Sequence, residues 1–120
     1  MKTRQSMKIW FTALVMTAAM SVGLAPVAQA DPDEAFAEQL HTYGIYGQKD
    51  FNAWIGKIMC KRLRNGHDLD AFASAKFVHD QLIKGTTTDQ AWQFVGAGIP
   101  VYCPDQMPVL QRAAEQRNGN

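Results

Sequence analysis

Cysteine is scarce in this 120-residue chain: only Cys60 and Cys103 are present, distant in sequence and with no Cys-x-x-Cys, which excludes a redox dithiol motif. His-Glu-x-x-His is missing too. No two of His41, His67 and His79 are separated by four residues on a single helix, so no zinc site or other metal site is expected. A Gly-x-Ser-x-Gly elbow is absent. Ser74 sits in Ala73-Ser74-Ala75, and the neighbouring Asp68 and Asp70 read as helix caps rather than a carboxylate pair. No enzymatic activity and no cofactor are expected on these grounds. Strand-like alternation never lasts more than a few residues, which removes the β classes.

What is present begins with the first 30 residues. Lys2, Arg4 and Lys8 precede an apolar run from Ile9 to Leu24, Pro26 breaks it, and Val27-Ala28-Gln29-Ala30 supplies small residues at a cleavage position. That is the layout of a secretory signal cut after Ala30, and it predicts a secreted, periplasmic or cell-envelope protein with no membrane span after cleavage. The leader holds three of the 12 basic residues and none of the 11 acids, so the mature chain has nine bases and a net charge of −2. Such a chain has no broad attraction for nucleic acid. In an oxidising compartment an even cysteine count predicts one disulfide. A Cys60–Cys103 bridge closes a loop of about 44 residues, worth about 4 kcal/mol in the chain-entropy model.

The mature chain reads as helices punctuated by glycines, an all-α, small four-helix domain over residues 31–104. Helix 1 opens at Asp31-Pro32, carries Phe36, Leu40 and Tyr43, and ends at Gly44. Helix 2 is capped by Asp50, and its apolar stripe is Phe51, Trp54, Ile55, Ile58, Met59 and Leu63. Asn65-Gly66 stops it. Helix 3 starts near Asp68 or Asp70 and runs to Lys84. Thr87 and Gln90 have the capping-box spacing for helix 4, which carries Ala91, Trp92, Val95, Ile99 and Tyr102. Pro100 should kink that helix or end its regular run a turn early. Gly96, Ala97 and Gly98 leave room for a close neighbour. The disulfide then links helix 2 to the end of helix 4. Residues 105–120 form a tail with one short helix through Val109, Leu110, Ala113 and Ala114.

Phe36, Leu40, Gly44-Ile45 with a tyrosine, Cys60-x-x-Leu63-x-x-Gly66, Phe94-Val95 and Tyr102-Cys103-Pro104 together resemble the domain of unknown function 732. That family comprises small secreted all-helical proteins of mycobacteria and their relatives. The resemblance covers roughly residues 31–104 and implies a helical fold, a disulfide and export. It assigns no catalytic residues. Pro100 and the tail after Pro104 depart from the pattern.

Two kinds of binding follow from the residues. Lys57, Lys61 and Arg64 recur at i, i+4 and i+7, a basic line opposite the apolar stripe of helix 2. Tyr46 in the first connector, and Phe94 off the main stripe of helix 4, are aromatics left over from the core. Together these five residues form an expected surface for a protein partner in the cell envelope or host. The alternative is a small-molecule carrier, for haem or a lipid, with an interhelical cavity near His41, Tyr43 and Trp54.

Overall fold

The computed structural model describes residues 31–119, so the leader and its cleavage after Ala30 lie outside the described residues. The described chain is all-helical. Its elements are α1 (Pro32–Thr42), α2 (Lys49–Arg64), α3 (Ala71–Gln81), α4 (Thr88–Tyr102), a 3-10 turn (Pro104–Gln106) and α5 (Met107–Gly119). Four α-helices fall within residues 31–104 and a fifth beyond it, so the described residues hold five where a four-helix domain was expected. The fifth is the short helix of the tail, and it packs on α3 and α4, burying Ala113.

Helix α4 touches all four other helices. This explains why Phe94, read from the sequence as a leftover surface aromatic, is fully buried at 0% exposure. A central helix has no single apolar stripe, and α4 buries Ala91, Phe94, Val95, Ala97, Gly98 and Ile99. Phe94 meets Phe36 of α1 edge to face, with centroids 5.0 Å apart. Phe94 is therefore core and not a member of a docking surface.

The buried face of α2 is also turned relative to the expected stripe. Asn52, Gly56, Met59 and Leu63 point inward together with Ala53, Ile55 and Cys60, while Phe51 and Trp54 lie outside against each other, centroids 6.0 Å apart. Gly56 accounts for the rotation. A Cβ there would lie 2.9 Å from Cε2 of Tyr102, so the bare glycine admits the Tyr102 ring. Tyr102 in turn donates from its hydroxyl to Asp33 Oδ1 at 2.8 Å and meets Phe36 edge to face at 5.2 Å. One residue on, the Cys60–Cys103 disulfide joins α2 to the end of α4 with Cα atoms 5.7 Å apart.

Caps set the element bounds. Asp31 Oδ1 accepts from Asp33 N–H, and Pro32 occupies the first turn of α1. The N-cap of α2 is Gln48, whose side chain makes no capping bond, and Asp50 lies inside the first turn, where its charge suits the dipole. Asp70 caps α3 by accepting from Ala73 N–H. Asp68 is no cap. It is buried, takes a bidentate pair from Arg62 at 2.9 and 3.1 Å, and accepts from Ser74 Oγ at 3.3 Å. Arg62 also lies over the Phe77 ring at 4.3 Å, so this network ties the end of α2 to α3.

Helix α3 stops at Gln81, three residues short of the expected end. Leu82 turns extended (φ −79°, ψ 166°) to reach the core, which swings Ile83 outward. The Thr87–Gln90 capping box is formed in both directions. Pro100 does not shorten α4, which continues to Tyr102; Cys103 N–H still reaches Ile99 O at 2.8 Å.

Candidate functional site

Two irregular segments face each other across the start of α2 and α4. One is the α1–α2 connector, residues 43–48, which Gly44 (φ +78°) and Gly47 (φ +118°) bend through conformations that suit glycine. The other is the α3–α4 turn, residues 82–87, held by Thr86 N–H and Oγ1 on Ile83 O and by His79 Nε2 against Thr86 O at 2.8 Å. Gln90 joins the two. Its Nε2 donates to Tyr43 O at 3.1 Å and Gly44 O at 3.4 Å, while its Oε1 accepts from Thr87 N–H.

Between these walls lies a cleft of about 210 Å³. Ile45, Tyr46, Phe51, Leu82 and Ile83 give it apolar sides, and Asn52, Thr86 and Gln90 contribute the polar groups. Tyr46 (64% exposed) and Ile83 (71%) stand at its mouth. Tyr46 is the only titratable side chain in the lining, so the cleft holds no charged group and no acid–base pair. Asn52 is the exception to its apolar depth. It is 4% exposed, its Nδ2 donates to Tyr46 O at a long 3.5 Å, and its Oδ1 has no partner among the described residues.

The cleft is smaller than the ~300–1,000 Å³ of drug-sized ligand pockets and somewhat larger than the ~150 Å³ that holds benzene. It suits one ring or the end of one chain. A porphyrin does not fit. His41, Tyr43 and Trp54, the trio expected to line a carrier cavity, are not brought together there. The exposed His41 ring lies 5.2 Å from that of Tyr46, the Tyr43 hydroxyl accepts from Gln39, and Trp54 is 53% exposed on the outer face of α2. No group of three or more His, Cys, Asp or Glu side chains able to hold a metal occurs among the described residues.

The expected basic line is largely engaged within the molecule. Lys57 pairs with Asp33 at 3.3 Å, its Nζ 5.6 Å from the Tyr102 ring centroid. Arg64 forks onto both oxygens of Asp105 and reaches Tyr102 O at 3.4 Å. That guanidinium, helped by the Gln106 amide, holds the Asp105 carboxyl well below the usual range, and Asp105 raises Arg64 in return. Lys61 is exposed. Beside the middle of α2, the Tyr102 hydroxyl lowers Asp33 against the opposing effect of burial, with Lys57 adding to the fall. Burial, and then the hydrogen bond to Asp33, push the Tyr102 phenol upward.

Of the sequence-derived candidates only Tyr46 lines the cleft; Phe51, Asn52, Ile83 and Gln90 were not among them. Asn52 had a signal available. It lies four residues before Gly56 and seven before Met59, the helical spacing of a shared face.

No helix among the described residues is long and apolar enough to cross a membrane. No solved structure matches the chain. Two uncharacterized proteins, from two strains of Mycobacterium tuberculosis, are each 52% identical to it over 94 residues, covering 78% of this chain and 84% of theirs. Residues 32–105 match the model of the family described as Protein of unknown function (DUF732), and the chain belongs to that family.

Proposed function

We propose that this is an exported, non-catalytic binding protein whose site is the cleft between the α1–α2 connector and the α3–α4 turn, and whose ligand is a small apolar molecule. The observation that carries this reading is the lining. It combines apolar walls, an open mouth at Tyr46 and Ile83, and no charged group to drive chemistry. Apolar concavity with a few convergent polar groups is the usual make-up of a small-molecule site. The test is titration with toluene, followed by NMR on Tyr46, Phe51 and Ile83. Saturable shifts at these residues, lost in Ile83→Asp, support the reading. Shifts elsewhere, or none, refute it.

A second reading is favoured by the exposed aromatic pair Phe51 and Trp54 beside the cleft. There the same rim, with Lys61, docks a protein of the cell envelope or host. Trp54→Ala and Lys61→Glu would then reduce partner capture while leaving toluene binding intact.

A further inference from the structure

We propose that Asn52 is the hydrogen-bonding anchor of this cleft, and that the ligand is a small neutral molecule, one ring or one short branched chain, carrying an O–H or N–H donor. The inference rests on the cleft being the binding site. Its starting point is the Asn52 amide. Nδ2 lies on the connector side, 3.5 Å from Tyr46 O and near Gly47, and Oδ1 of this 4%-exposed residue has no donor among the described residues. Buried carbonyl oxygens are nearly always satisfied, by protein or by something else. Leucine would fill the same volume without that unmet demand.

The other amide in the lining is already in use. Gln90 donates to two connector carbonyls and accepts from Thr87. Asn52 Oδ1 is therefore the uncommitted amide acceptor among the lining residues, and we assign it to a donor entering the cleft. The lining offers no counter-charge, so an ionised ligand would lose its hydration without compensation, which makes the ligand neutral. The volume of about 210 Å³ limits its apolar portion to about one ring.

Phenol and toluene have nearly the same shape and differ in one donor. They are titrated separately into the secreted protein, with NMR shifts read at the Asn52 side-chain amide and the Ile83 methyls. Phenol is expected to bind about tenfold more tightly than toluene, the ratio for one well-made hydrogen bond to a buried acceptor. Asn52→Leu should reverse the order, binding toluene more tightly because the phenol hydroxyl is then buried unpaired, and should melt at a higher temperature than the parent. Equal affinities in the parent protein overturn the inference, since Oδ1 then serves an ordered water only, while the cleft remains a binding site. Failure of both probes to shift the cleft overturns the inference together with the reading on which it rests. The parent-protein ratio decides the matter even if Asn52→Leu does not fold.

Discussion

Three glycines in two helices should respond to the same substitution in three different ways. In a helix interior Gly→Ala removes backbone freedom from the unfolded chain and stabilises by about 1 kcal/mol when the methyl has room. At Gly96 nothing lies within 4 Å of the added carbon, so Gly96→Ala should gain that amount. At Gly98 the methyl would meet only the Met59 terminal methyl at 3.0 Å, the end of a flexible side chain, with Phe36 at an ordinary 3.6 Å. That substitution should come out near neutral. At Gly56 the carbon would sit 2.9 and 3.0 Å from two atoms of the Tyr102 ring. This ring cannot easily give way, because its hydroxyl is bonded to Asp33, its edge contacts Phe36, and the next residue is bridged to α2. Overpacking costs about 1–3 kcal/mol, and a loosened bond to a carboxylate about 1.5–3 more. Set against the propensity gain, Gly56→Ala should destabilise by about 3 kcal/mol, or about 12–24 °C in a domain of this size. Urea and thermal unfolding of the three variants give the ranking. In a Tyr102→Ala background the penalty at Gly56 should vanish. A Gly56→Ala protein as stable as Gly96→Ala, or a penalty that survives removal of the ring, would refute the account of how α2 is oriented.

Reducing Cys60–Cys103, or replacing both residues by alanine, should cost about 4 kcal/mol from loop entropy, a fall of about 15–30 °C read by calorimetry with and without reductant; a fall below about 5 °C contradicts it. The Asp33–Tyr102 pair predicts losses of stability at both ends of the pH scale. Asp33 is lowered in the fold, so its contribution is present above the ordinary carboxyl value of 3.8 and lost as pH falls through the lower folded value. Tyr102 is raised, so its contribution is present below the ordinary phenol value of 10.0 and lost as pH rises through the higher folded value. Melting temperatures from acid to alkali should therefore fall less steeply at both ends in Tyr102→Phe, and parallel curves for parent and variant would refute the coupling.

The helices and the bridge were legible because each carries its own local signal: Asp31-Pro32, the Thr87–Gln90 box and Asn65-Gly66 are capping chemistry, and the cysteines are a pair by count. The orientation of α2 was not. Ile55, Met59 and Leu63 of the expected stripe are buried, but Phe51 and Trp54 outrank Asn52 and Gly56 in any hydrophobic pattern. The Tyr102 ring packed on Gly56 is a tertiary contact that no local pattern announces. Phe94 was misplaced for a related reason, since nothing local says that α4 is surrounded. The cleft depends on Leu82 leaving α3 early, a tertiary demand of the core that a helical pattern running to Lys84 conceals.

Gln90 closes the cap of α4 and holds the carbonyls of Tyr43 and Gly44 with the same amide. The first turn of α4 consequently cannot fray without releasing the opposite wall of the cleft. Breathing of the site and unwinding of that turn become one local event, governed by the modest free energy of a helix end rather than by global unfolding. A molecule that settles between the walls thus slows amide exchange at the start of α4, a segment it need not touch.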